Sequence, residues 1–580
     1  MLRTQLIGKN DDNIINIFIN RGINPDKIFR LNDSALHDPL LIKNLKEVAE
    51  IIHDKIVNSK DKILLIQDPD ADGYTSTAII YNYLKDCYKE EITNRIIIIF
   101  QENKEHGIPV KTVEDIMGEH KVDLIIAPDC SSNEYDVHKY ILEKLNIPIV
   151  ILDHHDAPKF SEYATMVNIS LDDYPNKKLS GAGVCLKFAA LYDKMYGFDH
   201  SEKYYDLAAI GIVGDMIEIN TLETIYIVQQ GMRNIHNTFL KALYKAKSFN
   251  LGGQVTPIGL SFSIVPMINA VTRVGTMDEK KEVTKAMVSD KPYDVPSTKR
   301  GAKEGDTEVF HEAVVRKMNN IKARQDRLRD NAFNSLETQI EENKLTDNQI
   351  LILDTKNEFP KTFTGLIANQ FVSKYKKPTL VGTYFEKDGK TFFGGSARGD
   401  DKSDLPELKR FEQESGLFEF AEGHEGAHGF AFAADKKDEI VEYFNKQLSE
   451  IVFEPIYSVD FDISWQQMSK ENLTEITRYA TFWGKGLEEP TFVLRDVPVK
   501  KDDIVVGGEF DNHKITFSAG GLEFIKFKGV STETAQKLMK NQQSKIDVVG
   551  TIKMSTFRGR TFLQMFVADL ELKSAQKYIF

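Results

Sequence analysis

Four apolar runs, each ending in acidic or imidazole side chains, constrain this chain more than any other feature. Ile63-Leu64-Leu65-Ile66 leads into Gln67-Asp68-Pro69-Asp70-Ala71-Asp72-Gly73, and Ile96-Ile97-Ile98-Ile99-Phe100 into Gln101-Glu102-Asn103. Val122–Pro128 stops at Asp129, and Ile147–Leu152 stops at Asp153-His154-His155. Runs that are apolar throughout, separated by helical spacers such as Tyr74–Leu84, indicate a parallel sheet covered on both faces. In such sheets the ligand crevice lies outside the carboxyl ends of the strands. Side chains remote in sequence are therefore expected to converge on one edge.

Their chemistry points to divalent metal, for which carboxylate and neutral imidazole are standard ligands. An isolated Asp-His-His would read as a solvated turn, but the other Asp-bearing strand ends overturn that reading. The Asp68–Gly73 segment has a rival as an EF-hand calcium loop. That loop needs a bidentate Glu at its twelfth position, which here is Ile79, and it needs a helix where a strand-like run precedes. Asp215 lies between Gly214 and Met216 in the apolar run Leu207–Ile217. A carboxylate there needs a partner to stay ionised, and a metal is the expected one.

At 580 residues the chain predicts about three domains. No apolar run approaches the roughly 20 residues that span a bilayer, and the polar start is not a secretory signal, so a cytoplasmic protein without a membrane segment is expected. Three isolated cysteines (Cys87, Cys130 and Cys185) fit a reducing compartment and exclude a Cys-based zinc site. The net charge of −13 argues against indiscriminate nucleic-acid binding. It does not exclude a local basic groove, and carboxylates that hold metal are neutralised in use.

Domain limits follow from composition. Residues 1–55 read as a helical lead-in without chemistry, packed on a first domain at 56–285. A polar break near 285–308 and a helical pattern from about Glu308 to Glu342 form a linker, 286–344, laid on the domains as one connecting helix. A second domain, 345–452, carries strands at Ile350–Leu353 and Pro378–Gly382. It also has two glycine-bearing segments read as loops, Gly394-Gly395-Ser396-Ala397-Arg398-Gly399 and Gly423-His424-Glu425-Gly426-Ala427-His428-Gly429. The first combines backbone N–H groups, a hydroxyl and a guanidinium, a suitable phosphate cradle. The remainder, 453–580, looks all-β. Phe524–Lys528 and Phe557-Arg558-Gly559-Arg560-Thr561-Phe562 offer aromatics beside cations, although aromatic core and solvated lysines explain individual residues as well.

Asp68-x-Asp70-x-Asp72-Gly73, Asp129, Asp153-His154-His155 and Gly214-Asp215 fall in the order and spacing of the DHH phosphoesterases, and the chain resembles the RecJ single-strand-specific exonucleases most closely. Leu179–Val184 after Val167-Asn168, Ile264–Gly275, the Gly-Ser-x-Arg and Gly-His segments, and Phe482–Phe492 resemble that family too. Met267, Thr272 and His428 depart from its usual residues. The resemblance implies an α/β architecture: a parallel-sheet DHH domain joined by a long helix to a smaller α/β DHH-associated domain, followed by an all-β OB-like barrel of five strands. OB barrels bind single strands by stacking bases on aromatics beside a basic groove.

The same resemblance implies two Mn²⁺ ions, with Mg²⁺ as the alternative. Asp129 would bridge them, Asp68 and Asp70 complete one, and Asp72, His154 and Asp215 complete the other. His155 would bond substrate from outside the ligand set, making Asp129, His154 and His155 the catalytic group, while Asp153 orients the histidines. Asn269, Arg273, Ser396, Arg398 and His424 would hold substrate phosphate. The implied activity is hydrolysis of single-stranded DNA, 5′ to 3′, to 5′-mononucleotides, by a monomer that could meet a single-strand-binding protein or a helicase. Two alternatives stand: a phosphodiesterase for cyclic dinucleotides or short oligoribonucleotides, as other DHH enzymes are, and an inactive replication scaffold, which would have lost the metal residues retained here.

Overall fold

The computed structural model describes residues 2–8, 14–101, 106–400, 403–405, 407–451, 453–508, 513–557 and 559–573. Its first sheet is built from β1 (Lys62–Gln67), β2 (Ile96–Phe100), β3 (Val122–Pro128), β4 (Ile149–Asp153) and β5 (Thr165–Asn168). All are parallel, in the order β2-β1-β3-β4-β5. The fifth strand is four residues long, too short for a periodic signal, and was not among the expected strands.

Alternation along the strands divides the core in two, as a sheet buried on both faces requires. Ile63, Leu65, Leu124, Ile126, Val150 and Leu152 pack on one face with the helices α1 (Ala71–Tyr88), α2 (Gly181–Tyr196) and α3 (Tyr205–Gly214). Leu64, Ile66, Ile125, Ala127, Ile149 and Ile151 form the core of the other. Asp70 caps α1 by accepting from Gly73 N at 3.0 Å, Ser180 caps α2, and Asp215 is the residue on which α3 ends.

Residues Pro257–Val274 make one helix long and apolar enough to cross a membrane, and half of it is buried inside the protein. Its middle, Leu260–Ile264, widens to a π-turn just before α4 (Val265–Val274). Pro266 supplies the reason, since proline has no N–H to donate and its ring clashes with the carbonyl four residues earlier.

The polar break contains a small hairpin, Asp294–Pro296 against Thr307–Val309, and leads into α5 (Phe310–Glu342). This 33-residue helix is about 50 Å long at 1.5 Å per residue. Val314, Met318 and Ile321 enter the first core, while Ala332, Leu336 and Ile340 enter that of the second α/β unit. One helix thus serves both domains.

That second unit has a mixed sheet of β6 (Leu351–Asp354), β7 (Thr379–Lys387), β8 (Lys390–Arg398), β9 (Phe420–His424) and β10 (Ala427–Ala433), in the order β9-β10-β8-β7-β6. The segment Gly394–Arg398, expected as a loop, is the end of β8. Its glycines serve close packing of strands: a Cβ on Gly395 would lie 2.1 Å from Val381 O. The second expected loop is the β9–β10 hairpin, turning at Glu425-Gly426.

The C-terminal sheet has seven strands, β11 (Phe461–Ser464), β12 (Thr491–Lys500), β13 (Val505–Gly507), β14 (His513–Ala519), β15 (Leu522–Val530), β16 (Gln543–Phe557) and β17 (Arg560–Leu572). Two more than five, they run in the order β11-β12-β16-β17-β15-β14-β13. Helices Lys470–Thr477 and Thr532–Lys540 accompany them, so the region is not purely β. Phe524 is core, stacked on Phe517 with centroids 4.5 Å apart, whereas Phe527 is exposed with Lys514 over its ring. Arg558 lies outside the described residues.

The lead-in does more than cover the first domain. Thr4–Leu6 pairs in parallel with Tyr457–Val459, Phe18 stacks on Trp483, and Arg21 forms a two-pronged ion pair with Asp460. It ties the first domain to the C-terminal region.

Candidate metal centre and phosphate-binding cleft

The carboxyl edge of the first sheet gathers the acidic strand ends. Three groupings place ligand atoms within 4.8 Å of one another: Asp68, Asp70 and Asp129; Asp72, His154 and Asp215; and Asp129, Asp153, His154 and His155. His154 Nε2 lies 3.3 Å from Asp129 Oδ1, 3.5 Å from Asp215 Oδ2 and 3.8 Å from Asp72 Oδ2.

Asp129 sits at the centre. Its backbone has φ 63°, a left-handed conformation uncommon outside glycine and costing on the order of 1 kcal/mol. It holds because Asp129 N donates to Leu152 O and because Gly181 opens the space; a Cβ there would lie 2.4 Å from Asp129 Oδ1. Asp129 is 1% exposed, and among the described residues neither carboxylate oxygen has a hydrogen-bond partner; the same holds for His154 Nε2. Buried polar atoms left so are costly unless a ligand satisfies them.

The electrostatics agree. Burial, then the neighbouring Asp72 and Asp70 charges, push the Asp129 carboxyl well above its usual range. Burial with the same neighbours raises Asp215 to about 8. Burial raises Asp68 to about 6 against the pull of His106, and it raises Asp72 against that of His154. His154 is lowered by burial, which favours the neutral, ligating imidazole. Crowded carboxylates that resist ionisation together, beside a neutral imidazole, fit divalent cations. Asp129 and His154, with Asp68, Asp70, Asp72 and Asp215, could hold them.

Asp153 stands one step back. Its Oδ1 accepts from His154 N at 2.7 Å, His155 N at 3.3 Å and His155 Nδ1 at 2.8 Å, and its Oδ2 from Ser132 N at 3.3 Å. Burial alone would raise its carboxyl, but the His155 bond outweighs it and holds the group low. Burial works against the charge on His155, and the Asp153 bond overcomes it, raising the imidazole to about 10. Asn168, at the end of β5, fixes the turn by donating to Ser132 Oγ and His155 O, each at 2.8 Å.

Asp72 has a structural partner that sequence reasoning did not expect. Its carboxylate accepts from Ser180 Oγ (2.8 Å), Gly181 N (2.7 Å) and Ala182 N (3.1 Å), so it also anchors the amino end of α2.

Of the substrate candidates, Arg273 on α4 and Arg398 on β8 are both made less basic first by burial; the Asp70 charge favours the cation on Arg273, and the Arg273 charge disfavours that on Arg398. Two guanidiniums close enough to repel suit an anion that neutralises both. Ser396 Oγ shares a hydrogen bond with Thr364 Oγ1 at 2.8 Å, at the start of the helix α6 (Thr364–Tyr375), and a Cβ on the adjoining Gly365 would lie 2.5 Å from Arg398 Nη2. Asn269 lies one turn before Arg273 on the same face of α4. His424 is exposed at the end of β9, and no described contact joins it to the acidic cluster. Sequence reasoning also missed His106, whose Nδ1 lies 2.9 Å from both Asp68 oxygens. It falls between apolar runs, where no periodicity marks it.

Comparison with known proteins accounts for both ends of the chain. Residues 62–212 match the family model "DHH family, N-terminal domain", and residues 459–569 match "RecJ OB domain". The chain is 34% identical over 98% of its length to YorK from the SPbeta prophage of Bacillus subtilis, provisionally named a single-strand DNA-specific exonuclease, and covers 98% of it. It is 23% identical to the single-stranded-DNA-specific exonuclease RecJ of the same organism, over 97% of this chain and 68% of that one. The crystal structure of RecJ with Mn²⁺ from Thermus thermophilus superimposes with a TM-score of 0.72 at 19% identity, over 96% of this chain and 76% of that one. The Mg²⁺ complex gives 0.66 at 18% identity, over 96% and 74%.

Proposed function

We propose a function from one premise: this chain belongs to the RecJ family of DHH proteins. The function is metal-dependent hydrolysis of single-stranded DNA from the 5′ end, releasing 5′-mononucleotides. The observation that carries the reading is the pair of buried orphans, the Asp129 carboxylate and His154 Nε2, among carboxylates that resist ionisation together. Asp129, with Asp68 and Asp70 on one side and Asp72, His154 and Asp215 on the other, would hold two divalent cations, Mn²⁺ by preference, whose chemistry would be to polarise a phosphodiester and lower the pKa of water.

The chain's own residues do the rest. Asp153 holds His155 by Nδ1, keeping the ring protonated at neutral pH and its Nε2–H free to donate to a non-bridging phosphate oxygen. Arg273 and Arg398 grip the terminal phosphate, with Ser396 and Asn269 beside them. Exposed Phe527 and Lys528 on the C-terminal sheet supply a face where an incoming single strand can stack.

The test compares a long 5′-phosphorylated DNA strand with a dinucleotide and a cyclic dinucleotide, each with Mn²⁺. Shortening of the long strand one nucleotide at a time from its 5′ end is expected. Turnover of the dinucleotides with the long strand intact would replace this reading with that of a small-nucleotide phosphodiesterase.

A further inference from the structure

Four carboxylates around the proposed cation pair, those of Asp68, Asp70, Asp72 and Asp153, are oriented by hydrogen-bond donors. Asp70 receives Gly73 N, Asp72 receives three donors from the start of α2, and Asp153 receives four from the Ser132 and His154-His155 backbone and ring. Asp68 has one donor among the described residues, the His106 ring, whose Nδ1 stands 2.9 Å from both carboxylate oxygens. An ionised carboxylate only accepts, so Nδ1–H is the donor.

His106 itself is mostly exposed, at 58% of its side chain, so packing does not place it. Its backbone neighbours do. Ile108 N donates to Glu134 Oε2 at 2.8 Å, and Ser131 Oγ donates to the same oxygen. Ser131 is held in turn by His138 Nε2 at 3.1 Å and has φ 78°. Gly107 lies directly on the Glu134 carboxylate at φ +102°, where a Cβ would come within 2.2 Å. Glu134 thus ties the segment carrying His106 to the turn that follows Asp129.

We infer that His106 is the positioning residue for Asp68, fixing the rotation of its carboxylate toward the cation shared with Asp70 and Asp129, and that Glu134 and Gly107 hold His106 in place. This rests on the proposed reading of Asp68 as a ligand. Hydrogen-bonded partners of ligating groups are worth about 10- to 100-fold in metal affinity. The effect is confined to one of the two cations, since His106 touches none of Asp72, His154 or Asp215 among the described contacts.

The experiment titrates metal-free protein with Mn²⁺ and counts free ion by electron paramagnetic resonance, without DNA. The unaltered chain is expected to show two classes of site. His106→Ala should weaken one class about 10- to 100-fold and leave the other and the melting temperature unmoved. His106→Asn, which retains an N–H donor, should recover most of the loss, and His106→Phe should not. Gly107→Ala, which leaves the imidazole but displaces its segment, should reproduce His106→Ala. Unchanged Mn²⁺ binding in His106→Ala, or equal weakening of both classes with a lower melting temperature, would overturn the inference. Failure of the unaltered chain to bind two ions would instead strike at the reading of the metal centre itself.

Discussion

His154 Nε2 and Asp129 Oδ1 lie 3.3 Å apart, buried, with no hydrogen-bond partner for either among the described residues. Protein interiors rarely leave such a pair unsatisfied, and a cation between them resolves both at once. Asp129→Ala should therefore lower Mn²⁺-dependent nuclease activity by about 10³-fold or more, the equivalent of several kcal/mol of lost transition-state stabilisation. Asp129→Asn should lose activity similarly yet melt no lower than the parent without metal, because a neutral amide replaces an acid that burial and its neighbours already keep from ionising. Unchanged activity in either variant would take Asp129 out of the mechanism.

The crowded carboxylates set a pH dependence. Asp68 at about 6 and Asp215 at about 8 lie above the usual carboxylate value, so the folded metal-free protein binds more protons than the unfolded chain. Stability contributed by these groups is then lost as pH rises from about 4 toward 8. Metal-free melting temperature should fall across pH 5 to 8. The increase on adding Mn²⁺ should grow over the same window, with proton release visible in buffer-dependent calorimetry. A Mn²⁺ effect independent of pH would contradict this.

Arg273 lies near enough to disfavour the charge on Arg398, a repulsion that a bound anion would relieve. Arg398→Ala should cost about 1.5–3 kcal/mol of charge-assisted hydrogen bonding to the terminal phosphate. The ratio of kcat/KM for 5′-phosphorylated over 5′-hydroxyl DNA should drop about 10- to 100-fold, with Mn²⁺ binding intact. An unaltered ratio would place the terminal phosphate elsewhere.

The clasp between lead-in and C-terminal region predicts a stability effect far from the chemistry. Phe18 is fully buried against Trp483, and Arg21 meets Asp460 with both side chains under 10% exposed. Phe18→Ala should cost about 3–5 kcal/mol, and Arg21→Ala a similar amount by stranding the Asp460 charge. Hydrogen exchange at Tyr457–Val459 should accelerate in both variants. Unchanged protection there would mean the clasp is dispensable.

Much of the first sheet was legible because burial on both faces leaves strands apolar throughout, and because the parallel arrangement sends their carboxyl ends to one edge. Asp68, Asp129 and Asp153 could be placed together on that ground alone. Gly394-Gly395 misled because glycine marks a loop and also a close strand crossing; only the approach of Val381 O decides between them. His106 and Glu134 were not legible, since their roles depend on which turn lies against which, a property of the folded edge. The Arg21–Asp460 pair, 439 residues apart, leaves no local trace at all.

Whether Asp129 joins two cations is tested most directly by anomalous scattering at the manganese edge from crystals soaked in Mn²⁺. Two peaks about 3.5–4 Å apart are expected at the Asp129 carboxylate, one against Asp68 and Asp70 and the other against Asp72, His154 and Asp215. No peak at that edge of the sheet, or one bound away from Asp129, would contradict this.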